Sequence, residues 1–278
     1  MVTMIELRKS AFDRVTSVSG PLQYHLAISA LIDGYIPGRI WVDDPKNIET
    51  AVIWDTRYSY YLCGNEDNHE FNMALDDLLT EIIAPEALKR NINMYFVICP
   101  PHWEKKILNN EVLVDWFPKR IPRCYYIFKK KVTTWKDNMP PGFSLNRVDK
   151  NLLESALDNV DTLIDEVKDI IASVDEFIQR KFAGYCLVHK NEEIVSWCLS
   201  FMYKSSCEFT VQTVKEYQKR GFGTITTAAL IDSCLSSGFT SLGWHCGQEN
   251  VASMRLAEKV GFERTTHEYS WIYGNLEG

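Results

Sequence analysis

The residues Gln218–Gly223, QKRGFG, hold two glycines separated by a single residue. Glycine lets a chain turn sharply and approach a ligand with no side chain in between. The turn follows Glu208–Val214 (EFTVQTV), which reads as a strand. It precedes a segment with Phe222, Ile225, Ala229 and Ile231 at helical spacing. A strand, a glycine turn and a helix together make an anion cradle, because the first helical amides are unsatisfied and lie at the positive end of the helix dipole. Lys219 and Arg220 add positive charge, so a pyrophosphate suits the turn. A dinucleotide fingerprint would need a third glycine where Thr226 stands, and a P-loop would need a Gly-Lys-Ser/Thr ending that is absent.

A second segment narrows the reading. Ser236, Ser237 and Gly238 end the helix as a glycine cap, Thr240–Cys246 reads as a strand, and Asn250–Phe262 is NVASMRLAEKVGF. The QxxGxG turn with this segment resembles the GNAT superfamily of N-acyltransferases, whose motifs are [RQ]xxGx[GA] after a strand and NxxAxxLYxKxGF. WHCGQEN, LAEKVGF and the WCLS strand Trp197–Ser200 are most similar to the branch that includes zwittermicin A resistance acetyltransferases. These motifs cover residues 194 to 265.

The resemblance implies direct attack of a small primary amine on the thioester of acetyl-CoA. The acetyl-CoA contacts it implies are the strand around Val211, Gln212 and Thr213, the turn Gln218, Lys219, Arg220, Gly221, Phe222, Gly223 and Thr224, then Asn250 and Ser253. Glu208 is the candidate general base, as carboxylates on this strand commonly serve in the family, and His245 on the neighbouring strand ranks second. Ser253 stands where alanine is commoner. Ala257 stands where many members carry the tyrosine that protonates the departing thiolate. Tyr269 and Cys246 are available by type for that role, yet a tyrosine in the final strand is more often core or sheet-face packing, and a thiolate whose thiol pKa is near ~8.5 also departs without a dedicated acid. Two alternatives stay open: a binding or regulatory module that retains acyl-CoA without turnover, and an enzyme using a longer acyl donor.

The elements that must position these residues follow from pattern. Phe143–Val148, Tyr185–His189 and Ile194–Tyr203 read as strands. Asn151–Ala172 carries an apolar stripe at helical spacing, and Ser173–Glu176 fits a capping box. Earlier, Arg39–Asp43 and Thr50–Cys63 read as a hairpin, Phe71–Arg90 as a helix interrupted at Pro85, and Met94–Cys99 and Cys124–Phe128 as strands. Lys136–Gly142, KDNMPPG, reads as a linker, since two prolines can neither continue a helix nor sit inside a sheet. With the resemblance, these elements imply an α/β fold with mixed sheet: residues 1–135 a degenerate GNAT-like half without chemical motifs, 136–142 the linker, and 143–278 the GNAT acetyltransferase domain.

Composition sets the outer limits. The 278 residues are 46% hydrophobic and 24% charged, as in ordinary globular proteins. Thirty basic against 37 acidic residues give a net charge of -7, which argues against a general affinity for nucleic acid or anionic membrane and favours a cationic small partner. Asp158, Asp161, Asp165, Glu166, Asp169, Asp175 and Glu176 fall where GNAT folds cover the acceptor, although such runs are usually solvated helix faces. The basic stretch Lys119–Lys131 takes the same solvated reading. The eight cysteines show no metal spacing and read as reduced core thiols, so no metal is expected. With no signal peptide and no long apolar run, a cytoplasmic location is expected.

Overall fold

The computed structural model describes residues 4–109, 111–113 and 119–276. The strands are β1 (Ile5–Glu6), β2 (Arg39–Val42), β3 (Thr50–Trp54), β4 (Ser59–Gly64), β5 (Met94–Cys99), β6 (Lys119–Phe128), β7 (Phe143–Arg147), β8 (Gly184–His189), β9 (Glu193–Tyr203), β10 (Ser206–Thr213), β11 (Ser241–Gly247) and β12 (Phe262–Asn275). The helices used below are α1 (His69–Asp77), α2 (Pro101–Leu108), α3 (Val160–Ile171), α4 (Val174–Gln179), α5 (Phe222–Ser236) and α6 (Val251–Val260).

The chain forms two compact units, one of residues 1–123 with 267–278 and one of residues 124–266. The expected division at 136–142 is therefore corrected. That segment lies inside the second unit, where Trp135 and Met139 pack against a core of Leu187, Val195, Phe222 and Ile225. The prolines Pro140 and Pro141 shape the entry to β7 instead of separating domains.

In the first unit the strand order is β1-β2-β3-β4-β5-β12. Neighbours are antiparallel except β4 and β5, which run parallel. Trp41, Trp54, Tyr60, Tyr95 and Trp103 fill one face, and Ile40, Ile53, Tyr61 and Ile98 the other. The run 71–90 stays helical through Pro85 because a six-residue π-helical stretch, Leu78–Ile83, hands over to a new helix with the proline in its first turn.

The second unit repeats that topology in the order β7-β8-β9-β10-β11-β6, again antiparallel from β7 to β10, with the parallel pair at β10 and β11. The apolar stripe of 151–172 is helical over the short turn Lys150–Leu153 and then again only from Val160. Before it, Asn159 takes a left-handed φ of 68°, and Asp158 exchanges backbone hydrogen bonds with Glu192 and Ile194 beside β9. Pairing with a strand edge holds those residues out of the helix. Ser173 caps α4 through the Glu176 amide at 3.0 Å, as the sequence indicates.

Helix α5 is apolar on all sides, and every residue from Thr224 to Ile231 is buried. It packs on β8, β9, β10 and α6. The Thr226 hydroxyl is satisfied within the helix, by the carbonyls of Phe222 and Gly223. Among the described residues no helix is long and apolar enough to cross a membrane.

Candidate functional site

Strands β10 and β11 pair from Ser206 to Phe209 and from Ser241 to Trp244, while β10 runs on to Thr213 and β11 to Gly247 beyond that paired stretch. The side of β10 that faces β11 follows from its other neighbour. Val214 donates its amide to the Val195 carbonyl of β9 at 2.9 Å, so by the two-residue alternation Gln212 and Thr210 also turn their amides to β9. Val211 and Thr213 therefore present theirs toward β11, where the ladder has ended. Of the three residues expected to offer backbone groups, Val211 and Thr213 thus turn their amides away from β9, and Gln212 pairs with Trp197.

The turn Gln218–Gly223 stands at the end of the same strand. Gln218 ties it back, donating from Nε2 to the Thr213 carbonyl at 3.1 Å. Lys219 and Gly221 both take left-handed backbone, with φ of 61° and 84°, and Gly221 caps α5 without a side-chain hydrogen bond. A Cβ at Gly221 would meet nothing within 4 Å, so open space lies before the first turn of the helix. Gly223 is closer packed, its added Cβ lying 3.3 Å from Leu256 and 3.6 Å from Val211. The Arg220 guanidinium sits 5.2 Å above the Tyr217 ring. Phe222 is buried against Phe143, and the Thr224 amide is already bonded to the Gly221 carbonyl at 3.0 Å. An exposed cationic turn, a helix N-terminus and strand amides on one path fit a phosphorylated pantetheine thioester.

The equivalent turn of the first unit is closed. There β4 leads through Gly64, Asn65, Glu66 and Asp67 into α1, and a Cβ on Gly64 would lie 1.9 Å from the Glu49 carbonyl. The buried Trp103 indole donates to the Gly64 carbonyl at 3.0 Å, and two carboxylates stand where the second unit has Lys219 and Arg220. Asp67 is held by Lys106 at 2.8 Å, and Asn68 caps α1 through the Phe71 amide, so a side chain already serves the head of that helix.

Asn250 caps α6, its Oδ1 accepting from the Ser253 amide at 3.0 Å, and Ser253 Oγ accepts from the Trp244 indole at 3.1 Å. Both residues thus have structural work that their expected role at the ligand did not include. The cap uses the Asn250 oxygen and leaves its Nδ2 chemistry to another partner.

On the opposite face of β10 the structure brings Glu208 and His245 together, Nε2 to Oε1 3.2 Å. Both are largely shielded from solvent. The pair can share a proton and receive one from an acceptor. Two neighbours were not anticipated. The Tyr125 ring of β6 lies against His245 at 4.6 Å between centroids. Burial first, and then the Glu208 charge, push its phenol well above the usual tyrosine range. Glu166 of α3 accepts from the Thr210 hydroxyl at 2.9 Å, and burial raises its carboxyl above the usual glutamate range. The sequence did contain one signal for Tyr125: a glycine inside β11, at 243, marks a place where another group comes close.

The two residues available by type as an acid are both packed. Cys246 points away from His245, as alternate strand residues must, and its sulfur lies 3.5 Å from that of Cys124. Tyr269 belongs to the first unit, packed edge-on to His25 at 4.5 Å. Ala257 is fully buried. Of the seven acidic residues only Glu166 bonds to β10. Asp165 pairs with Lys168 at 3.3 Å and Glu176 with Arg180, on the helices' own surfaces. The basic stretch 119–131 is dispersed along β6 and just beyond it, with Arg120 on Glu104, Arg123 over Trp271 and Lys131 on Asp232.

The sequence matches the GNAT acetyltransferase family over residues 18–272. The chain belongs to that family. This GNAT protein is thus an acyltransferase, of a family that uses acetyl-CoA as cosubstrate. It is 23% identical to the uncharacterized N-acetyltransferase YdfB of Bacillus subtilis (strain 168), over 98% of this chain and 99% of that one. It is similar in fold to a GCN5-related N-acetyltransferase-like protein from Streptococcus suis 89/1591, at a TM-score of 0.68 and 22% identity, covering 96% of this chain and 98% of that one. A tandem GNAT protein from the clavulanic acid biosynthesis pathway shares the fold at a TM-score of 0.59 and 8% identity, covering 99% and 98%.

Proposed function

We propose that this GNAT protein transfers the acetyl group of acetyl-CoA to the primary amine of a small, cationic molecule. The observation that carries the reading is the alignment along β10 of the open Gly221 turn, the Val211 amide beyond the last paired rung, and Glu208 hydrogen-bonded to His245. The pyrophosphate lies at the head of α5 beside Lys219 and Arg220, with Asn250 Nδ2 and Ser253 near the pantetheine. Glu208 takes a proton from the acceptor ammonium, directly or through water, with His245 stabilising the charge. The free amine attacks the thioester carbonyl, whose oxygen is met by backbone amides of β10. The amide bond forms as the nitrogen sheds its second proton, the carbon–sulfur bond breaks, and coenzyme A leaves as a thiolate that takes up that proton through solvent, with no dedicated acid.

The first unit is a degenerate GNAT-like half. Its repeated strand order and its closed turn at Gly64 support that reading, and the sequence likeness supports a place near the zwittermicin A resistance acetyltransferases. The protein acts in the cytoplasm without nucleic-acid or membrane partners. Calorimetry with acetyl-CoA tests the reading. Micromolar or tighter binding is expected, with loss of binding in Gly221→Glu, followed by thiol release with one member of an amine panel. Absence of binding to the unaltered protein overturns it.

A further inference from the structure

We infer that Tyr125 is a positioning residue of this site, holding the His245 ring against Glu208, and that residue 243 is glycine in order to admit the Tyr125 phenol. The inference rests on the assignment of Glu208 and His245 to the chemistry.

Gly243 is the point from which the arrangement is read. It faces Glu208 directly in the parallel register of β10 and β11, and His245, two residues on, shares its face. Its backbone is not among the left-handed glycines, so no conformational demand calls for glycine here. Space does. A Cβ at 243 would lie 2.8 Å from the Tyr125 hydroxyl, 3.0 Å from its Cε2 and 3.2 Å from Glu208 Cγ. The phenol therefore occupies, beside the Glu208 side chain, the volume a side chain at 243 would take.

From that position the Tyr125 ring, tilted 33° to the imidazole, limits how far His245 can rotate away from the 3.2 Å contact with Glu208. Tyr125 is itself held from the other side, since Thr265 Oγ1 donates to its carbonyl at 3.0 Å. The phenol stays protonated beside Glu208, because burial and that neighbouring charge both oppose its ionisation. It orients the pair without competing for the proton. An imidazole aligned by a packed neighbour and a carboxylate is the arrangement that reduces reorientation during proton transfer.

The test uses the full chain labelled with 15N-histidine, and three variants. In Tyr125→Leu the ring-current displacement of the His245 ring protons should vanish and its nitrogen signals should move toward those of an unrestrained imidazole. Tyr125→Phe keeps the ring and should keep the displacement. Gly243→Ala should reproduce the Leu variant, yet add little once Tyr125 is Leu, since the two act through one contact. Once an acceptor is found, Tyr125→Leu should lower kcat by about 10- to 100-fold with the acetyl-CoA KM within about twofold. Unchanged His245 signals in Tyr125→Leu, or an equal effect of Gly243→Ala in both backgrounds, overturn the inference. Failure of acetyl-CoA to bind the unaltered protein would overturn the functional reading alone, since the histidine spectrum still decides this one.

Discussion

Glu208 and Gly243 face each other across β10 and β11 one rung before the parallel ladder stops. The carboxylate is thereby fixed by a regular sheet while the adjoining amides of β10 have no strand beside them. Glu208→Gln keeps the shape and removes the proposed base. The expected outcome is a fall in kcat of about 10²- to 10⁴-fold, with acetyl-CoA affinity by calorimetry close to that of the unaltered protein. Equal losses in affinity and kcat would assign Glu208 to binding.

Gly221 and Gly64 are both left-handed but differ in surroundings. Gly221→Ala should cost about 1–2 kcal/mol, the price of that backbone alone. Gly64→Ala adds a collision with the Glu49 carbonyl and should destabilise more. Urea unfolding of the two variants ranks them, and the reverse order would contradict the packing described.

The two functions assigned to Asn250 are separable. Asn250→Ala should lose the cap, about 1 kcal/mol, and lower Tm by about 2–4 °C. Asn250→Asp retains an accepting oxygen at the positive end of α6 and should keep Tm, while weakening acetyl-CoA through the lost Nδ2 donor and the added charge. Calorimetry and thermal unfolding together distinguish the outcomes.

Burial raises the Glu166 carboxyl, with the Thr210 hydroxyl opposing and Asp169 adding to the shift. A raised acid favours the fold fully below its unfolded pKa, and that contribution is lost as pH rises through the folded one. Glu166→Gln should therefore raise Tm near neutral pH, with the gain closing as pH falls toward about 4. A gain independent of pH would point to packing instead.

All eight thiols are buried, and burial pushes those of Cys63 and Cys186 up to about 12. A thiol reagent at mildly alkaline pH should label the native protein slowly and the denatured protein at eight sites. Rapid native labelling would mean that the cores open readily.

The second unit was legible because its signals are local. The turn at Gln218–Gly223 needs glycine for its backbone, Asn250 and Ser173 announce caps, and Glu208 and His245 lie on strands whose alternation can be counted. What escaped depends on contacts distant in sequence. Tyr125 reaches His245 from a strand far earlier in the chain, and Glu166 looked like any other charge on a helix face until Thr210 bonded it. The prolines near 140 misled because a backbone break was equated with a domain break. Likewise, the stripe over 151–172 ran through residues that pair with a strand edge.

The proposed phosphate cradle is the head of α5, a helix enclosed by neighbours from Thr224 to Ile231. The amides of Ile225 to Ile231 behind it cannot rock independently of the core, so their exchange with solvent hydrogen should require opening of the whole second unit. A nucleotide arriving there meets donors already in place, with little chain disorder to surrender.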